Sequence, residues 1–477
     1  MDRKIKVLYE ASILNNFDSG SANRTGIYWC AYNLLKYLSL NSNVEVSLYS
    51  NDYNKTLKFV DYAKDDIPNI QLYNGDIKDM DVVFSPCIRI ENDIRKTGIP
   101  CFTLLHDCIP LIFPTYFDSA NGWFTLMFNS LNAEDSYFTN SDYTKKDFLK
   151  FCPRLDQKKM TTIPLSTNLP FKPNKKLTAE VRKKYNIPPG KKYLFSLCSL
   201  EPRKNLIRAV RAYIEFIKKN KINDLVFVLG GGAWKGFIEH FEKEVPDYAK
   251  YKNKIIRAGY VDDEDLEVLY SNAEWFVYTS QYEGFGMPPL EAMACGTAVI
   301  TSNNSSLPEV VGDAGIMIDW DSDEQHVAAY EKYYFDKKFR DKMAKKGLER
   351  SQKFSWKKAA DIMIKSFKKC PTNPHRTSLM MREFYQRLAC GQRYKIVIKL
   401  FNFIPLIKIR KDNVSYKLKL FGLLPLYAYK QVGGRYQYKF VGLPVFKVRK
   451  MANAITSKYY LFGMPIFKVS KKRIEEK

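Results

Sequence analysis

The amino-acid sequence predicts an α/β protein with two doubly wound parallel-sheet domains and a C-terminal basic β-hairpin repeat module. Three observations lead to this prediction. Short apolar runs alternate with amphipathic segments over residues 1–168, the same alternation restarts within 169–372, and a repeat occupies 396–477. A β-α-β order is typical of parallel sheets covered by helices on both faces, and a fixed period of about 20 residues marks a repeat architecture.

Composition indicates the class of protein and the kind of partner. The chain has 477 residues, of which 45% are hydrophobic and 27% charged. It is therefore long enough for roughly two to four packed domains, and it is not a disordered chain. The net charge is +25, and residues 391–477 hold 20 Lys and Arg against 3 Asp and Glu. This surplus favours an anionic partner such as a phosphate-bearing substrate, nucleic acid or an acidic membrane surface.

Cysteine usage and the N-terminus bear on the compartment. The nine cysteines form no Cys-x-x-Cys pair, and some, such as Cys101 and Cys198, lie in apolar runs. Buried thiols in a reducing compartment fit this pattern better than a disulfide framework. The N-terminus lacks an apolar leader, and no uncharged apolar run reaches about 18 residues. We therefore expect neither a signal peptide nor a membrane-spanning segment.

The first predicted domain covers residues 1–168. Its apolar runs predict strands at 4–12, 44–50, 81–86 and 100–107. Residues 27–38 have apolar side chains at helical spacing, which predicts a helix after the first strand. Residues 163–176 hold three prolines and no periodicity, so we interpret them as the link to the next domain.

The second predicted domain covers residues 169–372 and repeats the pattern. Its strands are predicted at 193–200, 225–232, 254–261, 275–280 and 298–302, and its helices at 205–219, at 263–273 and from Pro289. Ligands of open parallel sheets bind beyond the carboxyl ends of the strands. The cleft between the two sheets is therefore the expected site.

A linker with a short helix-like segment, 373–395, precedes the basic repeats of 396–477. The repeats place prolines at 405, 425, 444 and 465, each shortly after a glycine or asparagine. Gly and Asn before Pro are a turn composition, and apolar and basic residues alternate after each proline. We predict short β-hairpins with one apolar face and one basic face.

The stretch 282–318 carries the densest chemical signal. Glu283 and Glu291 lie eight residues apart, and Gly284 and Gly286 leave backbone amides open just before a predicted helix. Open amides at a helix N-terminus bind anions, while carboxylates accept hydrogen bonds from hydroxyls. Together they suit a nucleotide sugar, which has both phosphates and hydroxyls. The alternative interpretation is an ordinary strand–turn–helix with solvated glutamates.

Two further motifs follow predicted strands. Arg203 and Lys204 open a helix, where cations are unfavourable unless an anion or solvent screens them. A solvated basic turn is the alternative. His106 ends a strand of the first domain and could face the cleft or cap a turn. No zinc spacing or phosphate-loop motif occurs, and we interpret Asp262-Asp263 as a solvated turn and helix cap.

These motifs, taken in order, resemble glycosyltransferase family 4. The resemblance covers residues 1 to about 370 and rests on six segments: Arg24-Thr25-Gly26, His106-Asp107, Glu201 to Asn205, Gly259-Tyr260-Val261, Glu283 with Glu291, and Phe354-Ser355-Trp356. It implies the GT-B fold of two Rossmann-like domains and a last helix that crosses back to the first domain. It also implies retaining transfer of a sugar from a nucleotide diphosphate to a hydroxyl.

The resemblance assigns roles to residues of this chain. Arg203 and Lys204 would neutralise the leaving diphosphate, Glu283 would hold the donor sugar, and His106 would face that sugar from the first domain. These four are the implied catalytic residues. Donor binding falls to Gly26 in the first loop, Val261 near the base, Phe285, Gly286 and Met287 at the helix start, and Glu291 at the ribose. No metal or cofactor is expected.

The resemblance is greatest to bacterial mannosyl- and rhamnosyltransferases that build surface polysaccharides. GDP-mannose is the first choice of donor, with a UDP-sugar or dTDP-rhamnose as alternatives. The expected acceptor is a glycan or a lipid-linked glycan, and 396–477 would contact an anionic membrane surface on the inner face of the cell membrane. Nucleic acid is not expected, and a homo-oligomer is left open. The competing hypothesis is a non-catalytic scaffold on a degenerate transferase fold.

Overall fold

The computed structural model describes residues 3–18, 25–75, 77–87, 90–114, 127–131, 133–232, 237–245 and 247–370, together with the backbone of seven strands between 394 and 472. The chain divides into two compact units, residues 1–375 and 376–477. Among the described residues, no helix combines the length and apolar character needed to cross a bilayer.

The first sheet of unit 1–375 has seven parallel strands in the order β3-β2-β1-β4-β5-β6-β7. The strands are β1 Ile5–Glu10, β2 Val44–Tyr49, β3 Ile70–Leu72, β4 Val82–Ser85, β5 Cys101–Leu105, β6 Ser136–Thr139 and β7 Met160–Thr162. The helices are α1 Gly26–Ser39, α2 Tyr53–Ala63, α3 Asn92–Lys96, α4 Ile109–Ile112 and α5 Asp142–Phe151. All four residues of β4 are buried, as expected for a strand covered on both faces.

The second sheet has six strands in the order β10-β9-β8-β11-β12-β13. The strands are β8 Lys192–Leu197, β9 Leu225–Gly230, β10 Ile255–Gly259, β11 Phe276–Tyr278, β12 Val299–Ser302 and β13 Ile316–Ile318. The helices are α6 Ala179–Lys184, α7 Leu206–Lys219, α8 Phe237–Glu244, α9 Tyr248–Tyr251, α10 Asp263–Asn272, α11 Met287–Ala294, α12 Leu307–Val311, α13 Asp323–Phe335, α14 Lys337–Ser351 and α15 Trp356–Lys369. This confirms the α/β class with two doubly wound sheets.

Helix α11 begins earlier than the sequence predicts. We expected it to begin near Pro289, but it begins at Met287, with Pro288 and Pro289 in its first turn. Proline is tolerated there because the first N–H groups of a helix have no intrahelical acceptor. Glu291 is consequently the fifth residue of the helix, rather than lying two residues inside it.

Helix α15 returns to the first sheet. The Phe367 ring lies 4.9 Å from that of Phe102 and 5.9 Å from that of Phe138, centroid to centroid. At the other end of the helix, Trp356 Nε1 donates to the Thr167 carbonyl over 2.8 Å. The last helix of this unit therefore crosses back and packs on the first domain. The predicted domain boundaries themselves stay a prediction.

Unit 376–477 contains a separate antiparallel sheet in the order β19-β18-β17-β16-β15-β14-β20. Its strands are β14 Tyr394–Leu400, β15 Ile404–Lys411, β16 Ser415–Leu420, β17 Leu424–Val432, β18 Arg435–Phe440, β19 Leu443–Arg449 and β20 Phe467–Lys472. The register shifts beside Pro405, Pro425 and Pro444, once in each hairpin. The period of the sequence is therefore a period of hairpins; Pro465 lies outside the described residues.

The strand register groups residues by type. Ile407 lies opposite Leu420, whereas Lys408 lies opposite Lys419 and Arg410 opposite Lys417. Residues that pair across neighbouring strands share a face of the sheet. The register is thus compatible with the apolar and basic faces that we expect, and those faces stay a prediction.

Candidate active site

A buried cluster of charges lies where β8 and β11 end. Glu283 Oε1 accepts hydrogen bonds from Lys204 Nζ at 2.6 Å, from Arg203 Nη1 at 3.0 Å and from the Tyr278 hydroxyl at 3.0 Å. The Glu283 side chain is 11% exposed, and those of Arg203 and Lys204 are 7% and 9% exposed. Three residues predicted for the site from two separate sequence segments therefore meet at one carboxylate oxygen of Glu283.

The two cations decide the protonation state of Glu283. Burial alone would raise the pKa of this carboxyl group, but the charges of Lys204 and Arg203 lower it to about 2. Burial would likewise lower the pKa of the Arg203 guanidinium, and the carboxylates of Glu283 and Glu201 raise it instead. Glu283 and Arg203 are therefore both ionised at neutral pH.

A tight turn aims the two cations at Glu283. Residues Pro202–Lys204 form a single 3-10 turn between β8 and α7, and Asn205 closes it with φ 59°. Asn205 holds this left-handed conformation through its side-chain amide, which donates to the carbonyls of Thr279 and Trp320 at 3.1 and 2.6 Å. Arg203 also donates to Glu201 Oε1 over 2.6 Å, which orients the guanidinium from the opposite side.

The loop that carries Glu283 is held by serine hydroxyls. The Glu283 N–H donates to Ser305 Oγ at 3.0 Å, and Ser306 Oγ lies within hydrogen-bonding distance of the Glu283 and Phe285 carbonyls at 2.9 and 2.6 Å. Gly286 then adopts φ 118° and caps α11, a conformation that few side chains tolerate. The loop thus presents the carboxylate and the helix N-terminus from a fixed backbone.

Glu291 lies on α11 and is 3% exposed. The Tyr270 hydroxyl donates to its Oε2 at 2.9 Å. Burial raises the pKa of this carboxyl group to about 7, against the lowering effect of hydrogen bonds from Tyr270 and the Asn168 backbone. Glu283 and Glu291 share one motif, yet the pKa of the first is lowered and that of the second is raised. Among the described residues, Arg203 and Lys204 pair with Glu283, and no cation pairs with Glu291.

The backbone of His106, at the end of β5, contacts the site from the first domain. Its Nε2 lies 2.7 Å from the Pro86 carbonyl, which can only accept, so Nε2 carries the proton. Burial lowers the pKa of the ring. A Cβ atom added to Gly284 would lie 2.1 Å from the His106 carbonyl oxygen and 3.0 Å from Asp107 Cβ. The backbone at His106 therefore touches the loop that carries Glu283.

The remaining predicted donor-binding residues lie in several places. Gly26 begins α1 in the first domain, and a Cβ atom there would lie 3.5 Å from Met287 Cε in the second. Phe285 is 5% exposed and packs its ring 5.9 Å from that of Phe354. Val261 packs at the end of β9: a Cβ atom added to Gly230 would lie 3.0 Å from Cγ2 of Val261. Arg24 lies outside the described residues, and all the assigned roles stay predictions.

Several residues of this site were not predicted. Tyr278, at the end of β11, contacts both Lys204 and Glu283, and its position at the carboxyl end of a strand was a usable signal. Ser141 and Thr144 come from the first turn of α5 and contact the Gly284 carbonyl. The sequence marks Ser141 as a helix cap, but it gives no sign of a partner more than 100 residues away.

Asp262, which we interpreted with Asp263 as a solvated turn and helix cap, is the N-cap residue of α10. Its carboxylate lies close to those of Glu264 and Asp265. Lys184 pairs with Asp262 at 2.7 Å and with Asp265 at 2.5 Å. A cation of the chain itself therefore balances part of this negative charge.

Comparison with known proteins finds a family model that matches part of the second domain. Residues 178–350 match the family model described as glycosyl transferases group 1. O-antigen chain mannosyltransferase B of Escherichia coli is 32% identical over 241 residues, 50% of this chain and 62% of that protein. Serotype-specific mannosyltransferase WbdA of Escherichia coli is 33% identical over 187 residues, 39% of this chain and 23% of that protein.

The chain thus covers less than two thirds of the length of each of these two relatives. Among solved structures, Anabaena HepE in complex with UDP and glucose aligns with a TM-score of 0.57 at 14% identity, over 77% of this chain and 100% of that one. At that identity the likeness concerns the fold, and it matches unit 1–375 in extent.

Proposed function

We propose that this chain, whose residues 178–350 are a glycosyl transferases group 1 domain within a GT-B fold, transfers a sugar from a nucleotide diphosphate to a hydroxyl of an acceptor. The observation that carries the proposal is the cluster of Lys204, Arg203 and Glu283. It places each of two buried cations within 3.0 Å of one carboxylate oxygen, beside the contact between the domains. Membership of glycosyltransferase family 4 is part of the proposal.

The charges of this cluster suit the transition state of sugar transfer. The bond from the anomeric carbon to the diphosphate breaks, so negative charge grows on the leaving oxygen while the sugar gains oxocarbenium character. Preorganised cations such as Arg203 and Lys204 stabilise that charge. Glu283 would accept hydrogen bonds from the sugar hydroxyls, and Glu291 from those of the ribose.

Retention of the anomeric configuration is a further part of the proposal. In a front-face reaction the acceptor oxygen bonds to the anomeric carbon on the side that the diphosphate leaves. The acceptor's proton then passes to the departing phosphate oxygen, so no protein nucleophile takes part. The mechanism involves no metal or other cofactor.

GDP-mannose is the proposed donor, and a glycan or lipid-linked glycan of a bacterial surface polysaccharide is the proposed acceptor. Both relatives described above carry the name mannosyltransferase, and one of them acts on an O-antigen chain according to its name. A UDP-sugar and dTDP-rhamnose remain the alternatives. A non-catalytic scaffold is the competing function, and the buried cluster of Arg203, Lys204 and Glu283 argues against it.

The first experiment is a thermal-shift screen of the full chain with GDP, UDP, dTDP and ADP and their common sugars. A ligand that binds the native state raises the unfolding midpoint, so a shift with GDP and GDP-mannose alone supports the proposed donor. Turnover is then measured as release of the nucleoside diphosphate, which should disappear in Arg203→Ala. A scaffold would show no release before or after the substitution.

The basic repeats are proposed to hold the enzyme on anionic lipid at the inner face of the cell membrane. Lys408, Arg410 and Lys417 share a face by register, and cations near an anionic bilayer each contribute about 1 kcal/mol. Replacing all three by Glu should abolish binding to phosphatidylglycerol vesicles and leave turnover on a soluble acceptor intact. The matched control replaces three lysines that are exposed on α14 by Glu, namely Lys338, Lys342 and Lys345. This variant should bind vesicles like the wild type.

A further inference from the structure

The start of α5 contacts the backbone of two segments at the site: the loop that contains Gly284 and the strand end that contains His106. Ser141 Oγ and Thr144 Oγ1 donate to the Gly284 carbonyl at 2.8 and 3.0 Å. On the other side, Asn140 Nδ2 donates to the His106 carbonyl at 2.8 Å, and Thr144 Oγ1 lies 3.3 Å from the same oxygen. One turn of helix therefore bridges the loop of Glu283 and the strand end of His106.

This bridge is buried and closely packed. Thr144 is fully buried, Ser141 is 2% exposed and Asn140 is 4% exposed. The contact between Gly284 and His106 leaves no room for a Cβ atom, so the two backbones are already at their closest approach. A buried hydroxyl keeps a hydrogen-bond partner because leaving it unpaired costs about 1–3 kcal/mol. The shorter of the two contacts of the Thr144 hydroxyl, 3.0 Å to the Gly284 carbonyl, exists only while the domains are in contact, whereas the 3.3 Å contact to the His106 carbonyl lies within the first domain.

Two other contacts tie α5 to the second domain. The Tyr282 hydroxyl donates to Asp147 Oδ2 at 2.6 Å. The Glu309 carboxylate accepts from the N–H groups of Asp142 and Tyr143 at 2.8 and 2.6 Å, where its negative charge is favourable at the helix N-terminus. The helix is thus attached to the second domain at Tyr282 and Glu309 as well as at Gly284, and it adds to the hold that Ser305 and Ser306 have on the Glu283 loop.

We propose that Thr144 and Ser141 are positioning residues for the transfer, an inference that rests on the proposed function. By holding the Gly284 carbonyl, they place Glu283 at a fixed distance from His106, so the donor sugar and the acceptor side of the cleft are aligned only when α5 is docked. Nucleotide binding, which depends on Arg203, Lys204 and Glu291 of the second domain, does not require this alignment.

The test replaces Thr144 by Val, which keeps the shape of the side chain and removes the hydroxyl. A misplacement of reacting groups by about 1 Å can cost about 100-fold in rate. We expect kcat to fall at least 10-fold, with the KM for the donor and the nucleotide-induced thermal shift nearly unchanged. Thr144→Ser should restore kcat, and adding Ser141→Ala to Thr144→Val should lower it further.

Thr56→Val is the matched control. Thr56 is also a fully buried threonine of the first domain, and its hydroxyl bonds to Ser50 and Asn15 within that domain. It should lose stability without the selective loss of kcat. The proposal is overturned if Thr144→Val keeps its kcat, if Thr56→Val loses as much, or if nucleotide binding falls in parallel with kcat.

A second readout keeps the inference separate from the proposed function. Hydrogen exchange of the amides of residues 283–286 should speed up in Thr144→Val and stay unchanged in Thr56→Val, whatever the reaction. Absence of turnover in the wild type with every donor would refute the proposed function. Unchanged exchange in Thr144→Val would refute the role of α5 even if the enzyme is active.

Discussion

The Lys204 ammonium lies 2.6 Å from Glu283 Oε1, and the Tyr278 hydroxyl lies within hydrogen-bonding distance of both groups. With Arg203 and its partner Glu201, the cluster contains two cations and two carboxylates in a site that is largely buried. A diphosphate that bound these cations would compete with the carboxylates for them. We therefore expect two events to be linked: the binding of phosphate by the cations, and the release of Glu283 to contact a sugar.

Replacing Lys204 by Met should remove nucleotide binding and weaken the fold. The substitution leaves Glu283 with Arg203 as its cationic partner, and breaking a buried ion pair costs about 3–5 kcal/mol. We expect a lower unfolding midpoint and no thermal shift with the nucleoside diphosphate that stabilises the wild type. Lys192→Met is the control, because Lys192 forms a half-exposed pair with Asp224; it should bind nucleotide normally. Normal binding by Lys204→Met would contradict the assignment.

Replacing Glu283 by Gln should change the pH dependence of stability in one direction. The pKa of Glu283 is lowered from 4.5 to about 2 by Lys204 and Arg203, against the effect of burial. A lowered pKa stabilises the folded state above the unfolded value of about 4.5, and that contribution is lost as the pH falls toward 2. The stability advantage of the wild type over Glu283→Gln should therefore shrink as the pH falls through this window.

Chemical unfolding of both proteins between pH 2.5 and 7 checks this expectation. A shift of one pKa unit corresponds to 1.36 kcal/mol, so the change in the difference should be on the order of 3 kcal/mol at most. Glu349→Gln serves as the control, since Glu349 is exposed on α14. A difference independent of pH for Glu283→Gln would mean that the carboxylate is not held by the two cations.

Replacing Glu291 by Gln should give the opposite slope. Burial raises the pKa of Glu291 to about 7, so the folded state keeps the proton where the unfolded chain has lost it. The wild type therefore loses stability as the pH rises from about 4.5 to about 7, and the Gln variant lacks that loss. We expect the variant to gain stability relative to the wild type across this window.

The same variant should bind nucleotide less well at pH 8, because an amide accepts fewer hydrogen bonds from the ribose than a carboxylate does. Unfolding curves from pH 4 to 8 and the thermal shift with nucleotide at pH 8 measure the two effects. If the stability difference between Glu291→Gln and the wild type changed with pH in the same direction as that of Glu283→Gln, the raised pKa of Glu291 would be refuted. Unchanged nucleotide binding would refute the ribose contact.

Replacing Gly284 by Ala should separate the domains without unfolding either. The new methyl group would lie 2.1 Å from the His106 carbonyl oxygen, so one of the two backbones has to move. We expect at least a 100-fold loss of kcat with an unchanged circular dichroism spectrum. Gly232→Ala is the matched control, because among the described residues other than its chain neighbours no atom lies within 4 Å of its added Cβ, and it should keep its activity. Full activity of Gly284→Ala would show that this contact is not needed.

Local patterns were enough to predict the strand–helix alternation and several features of the site. Buried strands such as β4 and β9 are continuous apolar runs, and the buried face of α7 follows the helical period, so neighbouring residues carry the signal. Arg203, Lys204 and Glu283 each follow a predicted strand, and parallel strands bring their carboxyl ends to one edge. Their meeting was therefore foreseeable from order alone, although their distances were not.

Contacts between distant segments were decided by tertiary structure. Glu283 and Glu291 belong to one motif, yet the pKa of one is lowered and that of the other raised, because partners from other strands and helices set the local field. Ser141 and Thr144 carry only the pattern of a helix start, and their bonds to Gly284 arise because the two domains are in contact. Periodicity reports which face of an element is buried, whereas charge balance and positioning depend on what that face meets.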